Sequence, residues 1–377
     1  MMERKKFRAN ILKAYGANIS DTEELLAYNE NVFNTANFTH SVNFPLAPEL
    51  HVATWEKYLA EATVMGTFEA LKKRLVQLWF PIREGISQTE TYRAATRKGI
   101  PVDGMAEATG LILTQPEKLQ LIIHQSLAGA IPVLIAGNRE DFVLLVQALT
   151  MRNEPKPVPA SMGASMVAGF NNWDRIRQYR QQWEANHPDN QSESRWAAEF
   201  KQLIPKKELY QDRFMILSQG PYSNVSAQDI GLPEAEWLRL SLTIRLEHEC
   251  THYFTRRLFN SMRNNLIDEL IADYRGLIAA TGRYRADWFL RFMGLESFPN
   301  YREGGRLQNY RGSLSEESFK ILQSLVVSAA RNLESFERQQ TNGINSTGIL
   351  TTLCCLSLEE LASDEADAYL SSHPLKL

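Results

Sequence analysis

The sequence predicts an α+β protein that is predominantly helical. Long stretches carry apolar residues at three- and four-residue steps, while short apolar runs at 111–113, 131–136 and 213–218 suit strands. Prolines and glycines gather between these stretches, as in residues 153–163, which hold three prolines.

Taken in order, the first hundred residues read as mainly helical, with 55–80 as one strong amphipathic stretch. Residues 111–150 alternate: a strand at 111–113, a helix at 117–127, a strand at 131–136 and a helix at 141–149. That is an α/β pattern without a glycine-rich phosphate loop. Residues 153–163 read as a boundary or an ordered loop. Residues 173–199 are polar and helical, interrupted at His187-Pro188-Asp189. The run 213–218 reads as a short strand ending in a Gly-Pro turn. Near the end, 316–339 and 357–370 are helical, with Ser357 as a cap. These shifts divide the chain into an N-terminal helical and α/β domain (1–152), a connecting helical segment (153–212) and a C-terminal domain (213–377).

A chain of 377 residues can bury a sizeable core in two domains. Its 44% hydrophobic and 23% charged residues are those of a soluble globular protein. A net charge of −3 gives no reason to expect a nucleic-acid or anionic-membrane partner. The basic stretch at residues 1–8 lacks the apolar core of a secretory signal. The most apolar window, 119–137, contains Gln120, His124, Gln125 and Pro132 and does not suit a membrane span. Three cysteines (Cys250 and the adjacent Cys354 and Cys355) form no disulfide framework, which points to the cytoplasm. Oligomeric state is not legible.

The most informative segment is His248-Glu249-Cys250-Thr251-His252, a His-Glu-x-x-His motif. Pro233, Glu234 and Glu236 suit a helix start. Trp237, Leu240, Ile244, His248 and Thr251 then form one amphipathic face. Residues four apart lie one above the other on a helix, so both imidazoles can reach a single metal ion, with Glu249 beside it. A second helix starts at Asn265 as cap, has Asp268 in its first turn and stops near Gly282. Glu269, Asp273, Gly276 and Ala280 share one of its faces. Small residues at 276 and 280 would let it approach the first helix, with both acids aimed at the histidines. The other reading of Glu269 and Asp273 is a solvated acidic stripe, since Leu266, Leu270 and Leu277 supply a separate apolar face.

On these two helices, over residues 213–282, the chain resembles the gluzincin branch of the zinc metallopeptidases, of which thermolysin is a member. The resemblance implies a zincin-like catalytic domain, with a short sheet and the His-Glu-x-x-His helix, binding Zn2+. It implies His248, His252 and Glu269 as metal ligands and Glu249 as catalytic base. Asp273 would orient a histidine from behind the metal. Sixteen residues separate His252 from Glu269, fewer than in thermolysin-like enzymes, so Asp273, or less readily Asp268, stands as an alternative ligand. In zincins an edge strand precedes the active-site helix and can pair with an extended peptide, a role open to 213–218 beside that of an ordinary buried strand. Tyr301, Arg302, Arg306, Tyr310 and Arg311 are candidates to stabilise an oxyanion, in a loop that Gly304-Gly305 could let close. The function implied is intracellular hydrolysis of a peptide or protein substrate. The alternatives are a zinc hydrolase of non-peptide substrates and a non-catalytic, metal-stabilised binding protein.

Overall fold

Two short helices open the chain, α1 (Met2–Ala14) and α2 (Ile19–Tyr28). Asn18 starts α2 through a reciprocal capping box with Asp21. The computed structural model describes residues 2–31, 33, 42–187, 192–261, 265–340 and 346–372. Residues Ala47–Gly220 form one unit, inserted into a second made of Met1–Leu46 and Pro221–Leu377. The expected boundaries at 152 and 212 fall inside the inserted unit. The proline-rich loop near 153 is tied down by Asn153, whose side-chain amide donates to Gln77 O and Phe80 O at 3.0 and 2.9 Å.

In the inserted unit the expected stretch 55–80 is broken. Gly66, at φ 87°, separates α3 (Val52–Met65) from α4 (Thr67–Lys72). After α5 (Glu90–Lys98) the chain passes 111–113, which form no strand. Leu111 and Leu113 are buried and Ile112 is exposed, but this alternation has no ladder partner.

The helix expected over 117–127 is a strand, β1 (Gln120–Ser126), paired antiparallel with β2 (Gly129–Ile135). The hairpin turns at Gly129, at φ 91°, and Ser126 Oγ donates to Gly129 O at 2.8 Å. There follow α6 (Arg139–Thr150), β3 (Ala164–Asn171), α7 (Trp173–Asn186), α8 (Glu193–Leu203) and β4 (Gln211–Leu217). Helix α7 ends just before His187; Pro188 and Asp189 lie outside the described residues.

The sheet order is β1-β2-β4-β3, with only β2 and β4 parallel. Strand β4 is therefore interior, paired on both sides. The edge-strand role weighed for 213–218 does not hold, and its buried-strand reading does. Trp55, Phe142, Phe214 and Ile216 centre the core around it.

Back in the unit that receives the insertion come α9 (Ala227–Ile230), α10 (Glu234–Phe259), α11 (Leu266–Thr281), α12 (Ala286–Met293) and α13 (Glu316–Gln339). They are followed by α14 (Ser346–Leu353), α15 (Leu358–Ala362) and α16 (Ala366–Ser371). Ser357 caps α15 through a box with Glu360, but the helix expected over 357–370 breaks after Ala362. The protein is mostly helical with a small mixed sheet, as expected of an α+β chain. Among the described residues the sheet belongs wholly to the inserted unit, and the unit holding His248 has only the isolated bridge Ser297↔Asn300. No described helix is long and apolar enough to cross a membrane.

Candidate metal centre

The expected apolar face of α10 is its buried face: Trp237, Leu240, Ile244, His248 and Thr251 all lie inside. Trp237 Nε1 donates to Val225 O at 2.8 Å, satisfying its only polar group. Helix α11 begins where its sequence says, with Asn265 Oδ1 accepting from Asp268 N at 3.1 Å, and ends at Gly282 at φ 78°. Its acids do not form a solvated stripe. Asp268 and Asp273 are fully buried, Glu269 is 5% exposed, and Leu266, Leu270 and Leu277 are buried too.

Glu269 stands between the two histidines. Its Oε2 is 3.4 Å from His248 Nε2 and its Oε1 is 3.6 Å from His252 Nε2. The two Nε2 atoms are 3.1 Å apart. The far nitrogen of each ring meets its own carboxylate: His248 Nδ1 lies 2.8 Å from Asp273 Oδ1, and His252 Nδ1 lies 3.2 Å from Asp268 Oδ2. The first contact is a well-formed hydrogen bond; the second is not aligned as one. A carboxylate behind Nδ1 favours the tautomer with its proton there, which turns the Nε2 lone pair inward. Two imidazole nitrogens and one carboxylate oxygen thus lie within 4.8 Å of one another, buried, and could hold a metal ion. Asp273 and Asp268 sit behind the histidines rather than beside Glu269 in this group.

Tyr222 ties the first histidine to the rest of the unit. Its hydroxyl donates to Asp273 Oδ1 at 2.6 Å, and its oxygen lies 2.9 Å from His248 Nδ1. The Arg306 guanidinium donates to that same oxygen at 2.9 Å, to Ser223 Oγ at 3.0 Å and to Asp273 Oδ2. Ser223 and Asn224 hold left-handed φ values of 52° and 55°, a local strain of the kind found where surroundings dictate the backbone. The loop that carries Arg306 passes close to the end of α12, with Gly305 against Gly294. A Cβ on Gly305 would lie 2.6 Å from Gly294 Cα.

Of the five loop residues singled out in the sequence, Arg306 and Tyr310 reach the cluster; burial, and after it the nearby Glu269 and Asp273 carboxylates, push the Tyr310 hydroxyl up against the pull of Arg306. The others shape the loop. Tyr301 donates to Gly305 O, Arg302 pairs with Glu296, and Arg311 donates to Leu314 O. Glu249 is half-buried on α10, and among the described residues its carboxylate has no hydrogen bond or ion pair.

Burial opposes charge on His252, but the carboxylates of Asp268, Glu269 and Glu249 outweigh it and push its pKa up to about 9. Burial works against Asp273 as well, yet Arg306, His248 and Tyr222 hold its carboxyl below the usual range. Burial pushes the Tyr222 hydroxyl well up, so it stays a donor. Four acids (Glu249, Asp268, Glu269 and Asp273) gather around the two histidines, with the Arg306 guanidinium and the His252 imidazolium as the positive groups among them, an arrangement that suits a divalent cation.

The sequence reading missed two residues. Tyr222 lies in an irregular turn with no periodicity to mark it. Asp268 was weighed only as a ligand, although the residue preceding Glu269 points one step round α11 towards the second histidine. No curated protein and no solved structure matches the chain. The model of a family of unknown function, DUF7005, matches residues 10–365, and the chain belongs to that family.

Proposed function

We propose that this protein is a zinc-dependent metallohydrolase of the cytoplasm, most simply a metallopeptidase with a gluzincin-like pair of helices. The observation that carries the reading is the convergence of His248, His252 and Glu269 on helices α10 and α11, beside a Glu249 carboxylate that has no hydrogen bond or ion pair among the described residues. A bound Zn2+ would supply Lewis acidity, polarising a carbonyl and lowering the pKa of water. Glu249 takes the proton of the attacking water and returns it to the leaving amine. Asp273 and Asp268 hold the two rings in the tautomer that presents Nε2. Tyr310, poised beside Glu269, is the donor best placed to stabilise developing oxyanion charge. Arg306 keeps Asp273 ionised.

One observation favours a second reading, a zinc hydrolase of non-peptide substrates: the strand expected to pair with an extended substrate is interior. A purely structural metal site has no use for Glu249, which counts against a non-catalytic role.

Protein purified without chelator should carry about one equivalent of zinc by elemental analysis. His248→Ala and His252→Ala should lose it. Glu249→Gln should keep the metal and lose hydrolysis of a casein or mixed-peptide substrate by about two or more orders of magnitude. Full metal retention in both histidine variants would overturn the assignment. Metal retained with no hydrolysis of any peptide would favour the second reading.

A further inference from the structure

The outer edge of the sheet in the inserted unit carries features that the metal centre does not use. Strand β3 is last in the order β1-β2-β4-β3, so among the described residues one of its sides faces no strand. Ala136 N–H donates to Leu217 O, and Ser218 N–H donates to Gly163 O, both at 2.9 Å. Successive residues of a strand turn their N–H and C=O to opposite sides. Odd-numbered residues of β4 therefore face β2 and even-numbered ones face β3. By register, Phe214 meets Val167 and Ile216 meets Ser165 as the bonded pairs. Met166 and Ala168, one step out of phase, turn their backbone groups to the free edge. Among the described residues nothing pairs with those groups.

Beside this edge lies a cavity of about 470 Å³, lined by residues 166–171 of β3 together with Arg97 of α5 and Arg152 just beyond α6. No acidic residue lines it, and among the described residues neither guanidinium forms an ion pair. Arg152 is held there at a cost. It and Asn153 both take left-handed φ values, 58° and 59°, in a residue type that rarely does so for Arg152. The turn is fixed by Asn153, which besides its two carbonyl contacts accepts from the Tyr92 hydroxyl at 3.1 Å. An open strand edge thus lies next to two free cations.

The geometry points to an extended peptide with an acidic side chain as the occupant. It adds a fifth strand along β3, pairs its backbone with Met166 and Ala168, and sets its carboxylate near Arg97 and Arg152. A second copy of this chain fits less well, because β3-to-β3 pairing would bring like-charged arginines together. This site is independent of the metal centre, and its test does not depend on hydrolysis.

The probe is a fluorescein-labelled, N-acetylated hexapeptide of alternating threonine and valine with one central glutamate, read by fluorescence anisotropy. Two comparison peptides carry glutamine in place of glutamate, or methyl groups on alternate backbone nitrogens. The expected result is saturable binding, weakened about tenfold by glutamine and by Arg97→Glu, and more strongly by backbone methylation. Ala168→Pro should also abolish it, since it removes an N–H that faces outward and edge strands accept proline. Circular dichroism and melting check that this variant folds; if it does not, the methylated peptide on the unaltered protein still decides. Absence of binding up to millimolar peptide, equal binding of the glutamate and glutamine peptides, or indifference to methylation would each overturn the proposal. So would sedimentation showing a dimer that Ala168→Pro dissociates while no peptide binds.

Discussion

Gly276 of α11 lies directly against the backbone of Ile244 on α10, one helical turn before His248. A Cβ at this position would be 2.7 Å from Ile244 O and 3.3 Å from its Cα. No real Cβ sits that close to a carbonyl oxygen, so any side chain must push the two helices apart. The distance between Glu269 and the histidines is set by the same packing.

Gly276→Ala should therefore cost stability despite alanine's better helix propensity. Overpacking of about 1–3 kcal/mol outweighs the roughly 1 kcal/mol gained in propensity. Zinc affinity should fall at least about tenfold, as α11 carries Glu269 away from α10. Urea denaturation and competitive zinc titration would measure both; unchanged values in both would show that the contact is not the constraint described.

The acids of α11 should separate by role. Glu269→Gln removes an anionic ligand and should be the most damaging to metal affinity. Asp268→Asn and Asp273→Asn should each weaken it by about 10–100-fold, as changes behind a ligating histidine do. Chelator competition distinguishes these outcomes. If Asp273→Asn proves worse than Glu269→Gln, the ligand assignment is reversed.

Asp273 and Arg306 should be coupled in the fold itself. Removing either takes the charged partner from the other, which keeps only its hydrogen bonds to Tyr222 and to His248 or Ser223, so the loss should approach the roughly 3–5 kcal/mol of a broken buried pair. The double variant Asp273→Asn/Arg306→Met should be less destabilised than the two single losses added together. Additive losses in a double-mutant cycle would mean that the pair is not an interacting unit.

The metal-free protein should lose stability as pH rises from about 6.5 towards 9. His252 has a folded pKa raised from 6.5 to about 9, so the folded state holds a proton that the unfolded chain gives up earlier. The stabilisation is complete below the lower value and is lost through the upper one. A metal on Nε2 replaces that proton, so the metal-loaded protein should lack this decline and metal affinity should climb over the same interval. Thermal melts with and without chelator across this range would test it. A metal-free melting temperature flat between pH 6.5 and 9 would contradict the charge on His252.

The two helices of the candidate metal site, α10 and α11, were legible because their signals are local. Apolar spacing, the Asn265 cap and the Gly282 stop each act within a turn or two, and tertiary packing did not override them. Strand β1 was not legible as such: Leu119 and Leu121 suit either period, and the turn at Gly129 decides for a hairpin. Tyr222 was invisible for another reason. Its place beside His248, 26 positions later in the chain, is a tertiary contact with no local signal to announce it. The division into units was hidden likewise, since no composition shift marks residues 46 and 220 as its boundaries.

The insertion also imposes an order of assembly. Residues Ala47–Gly220 are continuous, so that unit can fold as soon as it leaves the ribosome. Helix α1 cannot complete its packing so early. Arg8 pairs with the buried Glu359 at 3.0 Å, and Arg4 pairs with Glu360, on α15. At about 5–20 residues per second, α1 waits roughly 20–70 s for that partner. His248, His252 and Glu269 emerge before it arrives, and so do Tyr222, Asp273 and Arg306 around them. If His248, His252 and Glu269 hold a metal, as proposed, its capture can begin before Arg4 and Arg8 of α1 meet α15.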